Sequence, residues 1–309
     1  MINRLRIFIK SFLPGLPGVG SFFQAWFERR ESRYLRRQAI AEKQRLRRIA
    51  HEWRHRIRTV LECPDNKDIP CIPGAGCRDG NEVIMHNGLR IAYGTYGTYD
   101  AEYVMQMLTA NRGIHEPQEE KIFQQVLPLM PPGAVMLELG AFWGFYSLWF
   151  SREVSHARCF LVEPVLANLN AGRLNFLLNN LQGTFVNAMV GKTPRRQPYQ
   201  PPTISVDRFM EEHQLEKIDL LHSDIQGFEY EMLLGATKAF KAGKIDFVFI
   251  STHSNSLHEQ CREWLQQIGF RVVADANLDE TYSADGLLVA HRSDISIPSL
   301  NPISKKPRL

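Results

Sequence analysis

The sequence contains no run of about 18 uninterrupted apolar residues, so it predicts no membrane-spanning helix. It has few cysteines: Cys63, Cys71, Cys77, Cys159 and Cys261 are the 5 in 309 residues. An odd number without a CxxC pair excludes a disulfide-stapled scaffold and reads as reduced thiols in a cytoplasmic protein. Cys63, Cys71 and Cys77 cluster, but zinc would need tighter spacing and a fourth ligand, so no metal site is assigned. The N-terminus lacks a clean secretion signal. Arg4, Arg6 and Lys10 break the apolar residues, Pro14 and Pro17 follow, and no small-residue cleavage site comes after them, so the segment is expected to be retained. A G-x-G-x-x-G fingerprint is also missing, which argues against a dinucleotide at a strand–helix turn.

What is present is ordinary in amount. The chain is 44% apolar, 10% aromatic and 23% charged, which excludes a disordered tail or a collagen-like fibre and suits one large or two smaller domains. The charge is not evenly spread. Residues 1–60 hold 15 Lys/Arg and 4 Asp/Glu, a net +11, and the remaining 22 and 29 give −7, which returns the overall +4. A basic arm therefore precedes a mildly acidic body and seeks an anionic surface.

From about Ser21 to Leu61 the arm reads as a helix, with Leu46, Ile49, Trp53, Ile57 and Val60 at three- and four-residue steps. Phe22, Phe23, Trp26 and Phe27 crowd its start, and Arg29, Arg30, Arg33, Arg36, Arg37, Arg45, Arg47 and Arg48 run between. A basic face opposite an aromatic one suits a membrane surface. The same pattern also suits a helix docked on the body or in a coiled coil, and, less well, nucleic acid.

The expected divisions are the helical arm (1–61), a linker (62–81), a hairpin with helices (82–130), an alternating region (131–292) and a C-terminal tail (293–309). The linker is assigned from its Pro, Gly, Asp and Asn content. The hairpin is predicted by two apolar runs flanking Asn87-Gly88, whose residues tolerate positive φ. Helices are expected at 101–110 and 117–127. Beyond Gly133, strands at 134–139, 158–162, 184–190, 218–222, 245–251, 271–274 and 287–291 alternate with helices at 145–153, 166–180, 229–240 and 258–268. That rhythm means an α/β fold with a mostly parallel sheet and helices on both faces.

In such sheets ligands sit beyond the carboxyl ends of the strands, where strand order reverses. The first strand ends in Glu138-Leu139-Gly140-Ala141-Phe142-Trp143-Gly144. Gly140 allows a sharp turn, and Gly144 is expected to let a ligand approach the helix start. Glu163, ending the second strand, is placed to accept hydrogen bonds from both ribose hydroxyls of a nucleoside. Asp224 follows the fourth strand and His253 the fifth, where a general base would stand. His222 precedes Asp224 by two and points the same way. The ordinary imidazole pKa near 6.5 suits His253 to base work, and Asp224 can be a base or a divalent-metal ligand. Glu229 serves either the site or the helix dipole. Glu116, Glu119 and Glu120 precede the first strand of the alternating region and either edge the ligand pocket or, the favoured reading, stand as solvated helix-start carboxylates. The Pro-rich, basic loop 191–203, with Arg195, Arg196 and Tyr199, is a candidate substrate loop or a disordered insertion.

The acidic residue two positions before the first glycine, with glycines four apart, resembles the S-adenosylmethionine loop of class I methyltransferases. Glu138–Ser147, Glu163-Pro164, Ser205–Asp207, Ile218–Glu229 and Gly235-Ala236, in that order, resemble the FkbM family of methyltransferases over roughly residues 115–292. The resemblance implies a Rossmann-like, seven-stranded fold and S-adenosyl-L-methionine as cofactor. It implies an O-methyltransferase, often one acting on sugar hydroxyls, with Glu138 near the cofactor's ammonium group. Glu138, Gly140, Ala141, Phe142, Gly144, Glu163, Asn187 and Ala188 are then the expected cofactor residues, the last two near adenine. Asp224 and His253 are the expected catalytic pair. Gln226 stands where the family usually shows Glu, Phe142-Trp143 make the loop bulky, and a divalent metal is left open. A saccharide or glycolipid-linked acceptor is expected, in the cytoplasm or at the inner membrane face through residues 1–60. An RNA or protein methyltransferase and a non-catalytic assembly module are the alternatives, and the oligomeric state is left open.

Overall fold

The computed structural model describes residues 19–94 and 97–307. Expectations for residues 1–18, and for the side chains of Phe22, Phe23, Trp26, Phe27, Arg29, Arg30 and Arg33, lie outside the described residues. Two compact units emerge, Met1–Arg54 and His55–Leu309. The long helix α1 (Val19–Glu62) is a few residues longer than its periodicity indicated, and the boundary between units falls within it. Its last turn belongs to the body, where Thr59 and Val60 are buried. No helix among the described residues is long and apolar enough to cross a membrane.

The stretch expected as a linker is packed instead. Cys63, Asp65 and Ile69 are buried. Asp65 accepts hydrogen bonds from the Lys121 ammonium at 2.8 Å and from the Ser304 amide at 2.8 Å. The C-terminal tail is thereby fastened to this stretch at Ser304. Turn-forming composition marks where the backbone bends, not whether a buried acid anchors it. All five cysteines are free.

Strands β1 (Arg78–Asp79), β2 (Glu82–Ile84) and β3 (Arg90–Ala92) form a small antiparallel sheet whose β2–β3 turn carries Asn87-Gly88. Helices α2 (Gly97–Ala110) and α3 (Pro117–Val126) follow, and then the alternating region: β4 (Val135–Leu139), α4 (Phe145–Glu153), β5 (Arg158–Val162), α5 (Leu166–Leu178) and β6 (Thr184–Val186). The chain then bends. The strand expected over 184–190 is broken, and β7 (Met189–Val190) pairs instead with β8 (Thr203–Ile204). After α6 (Val206–Glu212) come β9 (Ile218–Ser223), α7 (Glu229–Gly235), α8 (Thr237–Lys241), β10 (Ile245–Thr252), α9 (Asn255–Gln267), β11 (Phe270–Ala276) and β12 (Gly286–Arg292). One helix was expected where α7 and α8 stand.

The main sheet has seven strands in the order β11-β12-β10-β9-β4-β5-β6. Four of its six pairings are parallel, and β12 runs antiparallel to both β10 and β11. Neighbouring side chains of a strand face opposite sides of the sheet. On β10, Phe249 meets Phe123 of α3 with ring centroids 5.5 Å apart, whereas Ile250 packs with Cys261 and Leu265 of α9. Both faces are thus covered by helices, as the alternation of strands and helices predicts. Strand order reverses between β4 and β9, so the crevice opens at the ends of those strands.

Candidate active site

A cavity of about 1030 Å³ opens at that reversal. Its near side is the turn after β4. Gly140 sits at φ 73°, and a Cβ there would lie 1.8 Å from the Asp224 carbonyl oxygen, so only glycine lets the turn pass this close to the end of β9. Phe142 stands at the position of the second glycine in a G-x-G-x-x-G loop and takes a left-handed φ of 46°. Its amide donates to Glu163 Oε2 at 3.1 Å, while Glu163 Oε1 accepts from the Val165 amide at 2.9 Å. Glu163 therefore faces the turn from the end of β5. Glu138 is buried and accepts from the Ser147 amide at 3.1 Å; burial pushes its carboxyl up to about 6. Glu138, Gly140, Ala141, Phe142 and Glu163 all line the cavity. The bulky pair does not plug it: Trp143 is buried against Phe145, with ring centroids 5.8 Å apart.

Three expected cofactor residues lie off the cavity wall. Gly144 caps α4 at φ 74°, and a Cβ there would meet a Leu161 methyl at 2.8 Å. Its bareness serves helix–strand packing, not ligand approach. Asn187 donates to the carbonyls of Glu163 and Pro164 at 2.9 and 2.8 Å, and Ala188 is wholly buried in the core. The bend after β6 shifts the wall by two residues, so Met189, Val190 and Gly191 line it instead.

The far side holds Asp224, Gln226 and Asp285. Gln226 too is left-handed, at φ 55°; such strain in side-chain-bearing residues gathers at functional sites. His253 stands just behind them, off the wall. Its Nδ1 is 2.7 Å from Glu229 Oε1, and its Nε2 is 3.3 Å from both Asp224 Oδ1 and Asp285 Oδ1. Burial opposes a charge on this ring, but the bonds to Asp224 and Glu229 and the Asp285 charge outweigh it and raise the imidazole to about 10. That corrects the expectation for His253: it is an imidazolium at neutral pH, with both nitrogens donating and neither able to take a proton. The Gln226 amide, 2.9 Å from Nε2, is then read with its oxygen toward the ring. Glu229, fully buried, holds this cation and does not serve the helix dipole alone.

The helix-start carboxylates are not solvated. Glu116, which lines the cavity, accepts from the Tyr146 hydroxyl at 3.0 Å and lies 3.7 Å from the Arg56 guanidinium. Glu119 bonds the His222 ring at 2.7 Å. Glu120 accepts from the amides of His115 and Glu116 at 2.8 and 2.9 Å. Basic partners from α1, β9 and the segment before α3 meet all three, and Glu119 and Glu120 are buried. In the 191–203 loop, Arg195 and Lys192 reach the wall, whereas Arg196 and Tyr199 are exposed and off it. Among the described residues, no group of three or more His, Cys, Asp or Glu has the geometry to hold a metal ion.

Residues 179–272 match the family described as Methyltransferase FkbM domain. That segment is similar to an FkbM methyltransferase domain. The match supports an S-adenosylmethionine-dependent methyltransferase. The FkbM match includes Asp224, Gln226, Glu229 and His253, while the turn after β4, Glu163 and Asp285 lie outside it. The comparison with curated proteins gave no match. Among solved structures, M. capricolum TrmK in complex with S-adenosylhomocysteine is 14% identical with a TM-score of 0.38, over 55% of this chain and 67% of that one. Precorrin-6y C5,15-methyltransferase from Geobacter metallireducens GS-15 is 14% identical with a TM-score of 0.38, over 57% and 88%. Similarity this weak carries no argument about the acceptor.

Proposed function

We propose that this enzyme methylates a hydroxyl of a saccharide or glycolipid-linked glycan. The observation that carries the reading is the wealth of carboxyl groups on the cavity wall. Among the described residues, Glu116, Glu138, Glu163, Asp224, Glu231 and Asp285 line it, interspersed with Arg56, Lys192, Arg195 and the imidazoles of His115 and His222. Such a wall offers many hydrogen-bond partners to a neutral polyhydroxyl ligand. The cavity, about 1030 Å³, stands at the top of the range for small-ligand pockets, about 300–1,000 Å³. That supports a compact second ligand beside the cofactor.

The residues fit S-adenosylmethionine. The close-passing turn at Gly140 leaves a cradle that a Cβ would fill, bordered by Ala141 and Phe142. Glu138 would take the ammonium group and Glu163 the ribose hydroxyls, with Met189–Gly191 beside the adenine. When bound, the cofactor supplies an electrophilic methyl group. The chain's own part is to hold the acceptor oxygen in line and take its proton. Asp224 lines the wall beside His253, 3.3 Å from its Nε2, and helps fix the place where that proton is taken. Residues 1–60 bring the enzyme to an anionic membrane surface. Exposed Tyr34, Ile40 and Leu46 stand among exposed Arg36, Arg37, Arg45, Arg47 and Arg48, a combination that suits the lipid interface.

The test is incubation of the full chain with radiolabelled S-adenosylmethionine and three lysate fractions: oligosaccharide, glycolipid and RNA. Label is expected in saccharide or glycolipid. EDTA is expected to leave it unchanged, because the His253 cation already occupies the carboxylates beside Asp224. Label confined to RNA would overturn the acceptor class.

A further inference from the structure

Asp285 belongs to no motif in the sequence, yet the fold brings it to the centre of the site. It directly precedes β12, whose first residue, Gly286, pairs with Thr252 at the end of β10. A Cβ on Gly286 would lie 2.6 Å from Thr252 Oγ1, so the two strands approach closely there and set Asp285 beside His253. Asp285 lines the cavity, as does Asp224, and one Oδ1 of each is 3.3 Å from the same imidazole nitrogen. The third carboxylate, Glu229, occupies the other nitrogen from a fully buried position.

We propose that Asp285 accepts the hydroxyl proton of the acceptor, with Asp224 and His253 fixing its place. The proposal rests on the hydroxyl-acceptor reading above. Three carboxylates around one imidazolium carry a surplus of negative charge. One more proton is therefore readily held, and it is held at the cavity wall. A lone pair of the acceptor oxygen bonds to the methyl carbon, the carbon–sulfur pair stays with sulfur, and the hydroxyl proton passes to the Asp285 carboxylate. The products are a methyl ether, the neutral thioether and protonated Asp285, which returns its proton to water through the cavity.

Other charges facing Asp285 come from four places. Asp224 follows β9 and Glu116 precedes α3, and both raise its proton affinity; His253 follows β10 and Arg56 lies near the end of α1, and both lower it. Burial is the largest influence, followed by Asp224, and the carboxyl stands at about 7. A base poised near the working pH combines a free carboxylate with enough proton affinity to use it. Asp285 lies outside the matched family segment, so no pattern in that segment would have pointed to it.

The experiment has two arms, both on the full chain. Carboxyl carbon-13 NMR of aspartate-labelled protein is expected to show one aspartate titrating near pH 7, lost in Asp285→Asn. Methyl transfer from labelled S-adenosylmethionine to the oligosaccharide fraction is expected to fall at least about 100-fold in Asp285→Asn. Cofactor affinity by equilibrium dialysis should stay within about twofold, on the argument that the base contributes to transfer and not to cofactor binding. Asp285→Glu is expected to restore part of the turnover with a displaced pH profile. An aspartate spectrum with no group titrating near neutrality overturns the proposal, and so does an Asn variant that turns over like wild type. If Asp285→Asn fails to fold, the wild-type titration and the Glu variant decide. If wild type labels RNA and not saccharide, the acceptor class fails, while the same loss in Asp285→Asn measured on RNA supports the base.

Discussion

Gly140→Ala is expected to destabilise the enzyme by more than about 4 kcal/mol, in the range reserved for gross steric conflict, and to abolish cofactor binding. Two effects combine. The backbone at this position is left-handed, at φ 73°, which costs a side-chain-bearing residue about 1–3 kcal/mol. The added methyl would also lie 1.8 Å from the Asp224 carbonyl oxygen. That oxygen belongs to the backbone at the end of β9 and cannot rotate away, so the turn and the strand end must separate. Gly227→Ala is the control. Gly227 has a φ of 97° but nothing within 4 Å of an added Cβ, so it should cost only the backbone strain, about 1–3 kcal/mol. Urea unfolding of both variants checks this. Equal losses in the two would show that the close approach at Gly140 does not matter.

His253→Ala is the second large effect. Removing a single cation strands the carboxylates of Asp224, Glu229 and Asp285. Breaking a fully buried pair costs about 3–5 kcal/mol. Asp224 and Asp285 keep 32% and 21% of their side-chain exposure, so about 2–4 kcal/mol is expected at pH 7 once solvent screening is allowed for. The folded protein raises His253 from its ordinary 6.5 to about 10. Its contribution is therefore fully present below pH 6.5 and is lost as the pH climbs through about 10. Asp285 is also raised, from 3.8 to about 7, so the folded state keeps that proton longer than the unfolded chain does. Stability falls for this reason as the pH rises between about 4 and 7. In His253→Ala the Asp285 carboxyl, already raised to about 7 with the cation present, is protonated at pH 5 and no longer strands a charge, so the deficit against wild type should shrink there. Thermal unfolding at pH 5 and pH 8 measures both points. A deficit under about 0.5 kcal/mol at pH 8, the size of an ordinary surface substitution, would show that His253 holds no such cluster.

The parts of the fold that follow local rules were readable from the chain. Strand–helix alternation placed β4, β5, β9 and β10 and the crevice between them, because burial on both faces demands continuous apolar runs. Glu163 was readable for the same reason, as an acid at a strand end facing a glycine turn. Properties set by distant segments were not. The imidazole of His253 looked like an ordinary base until residues 224, 229 and 285 arrived around it, and Asp285 carries no local signal at all. Glu116, Glu119 and Glu120 looked solvated because their partners Arg56, His222 and His115 come from other elements. Asn187 and Ala188 missed the wall because a bend after Val186 broke a strand that apolar content alone made continuous.

The central claim is that the cofactor nests against the turn after β4 with Glu163 reaching its ribose. Titration calorimetry of S-adenosylmethionine into the wild-type chain and into Glu163→Ala tests it most directly. The account predicts binding to wild type and a loss of about 1–3 kcal/mol in the variant, the value of hydrogen bonds to a buried charged group. That is roughly a 5- to 150-fold weaker affinity. No heat with wild type, or the same affinity in both proteins, would contradict it.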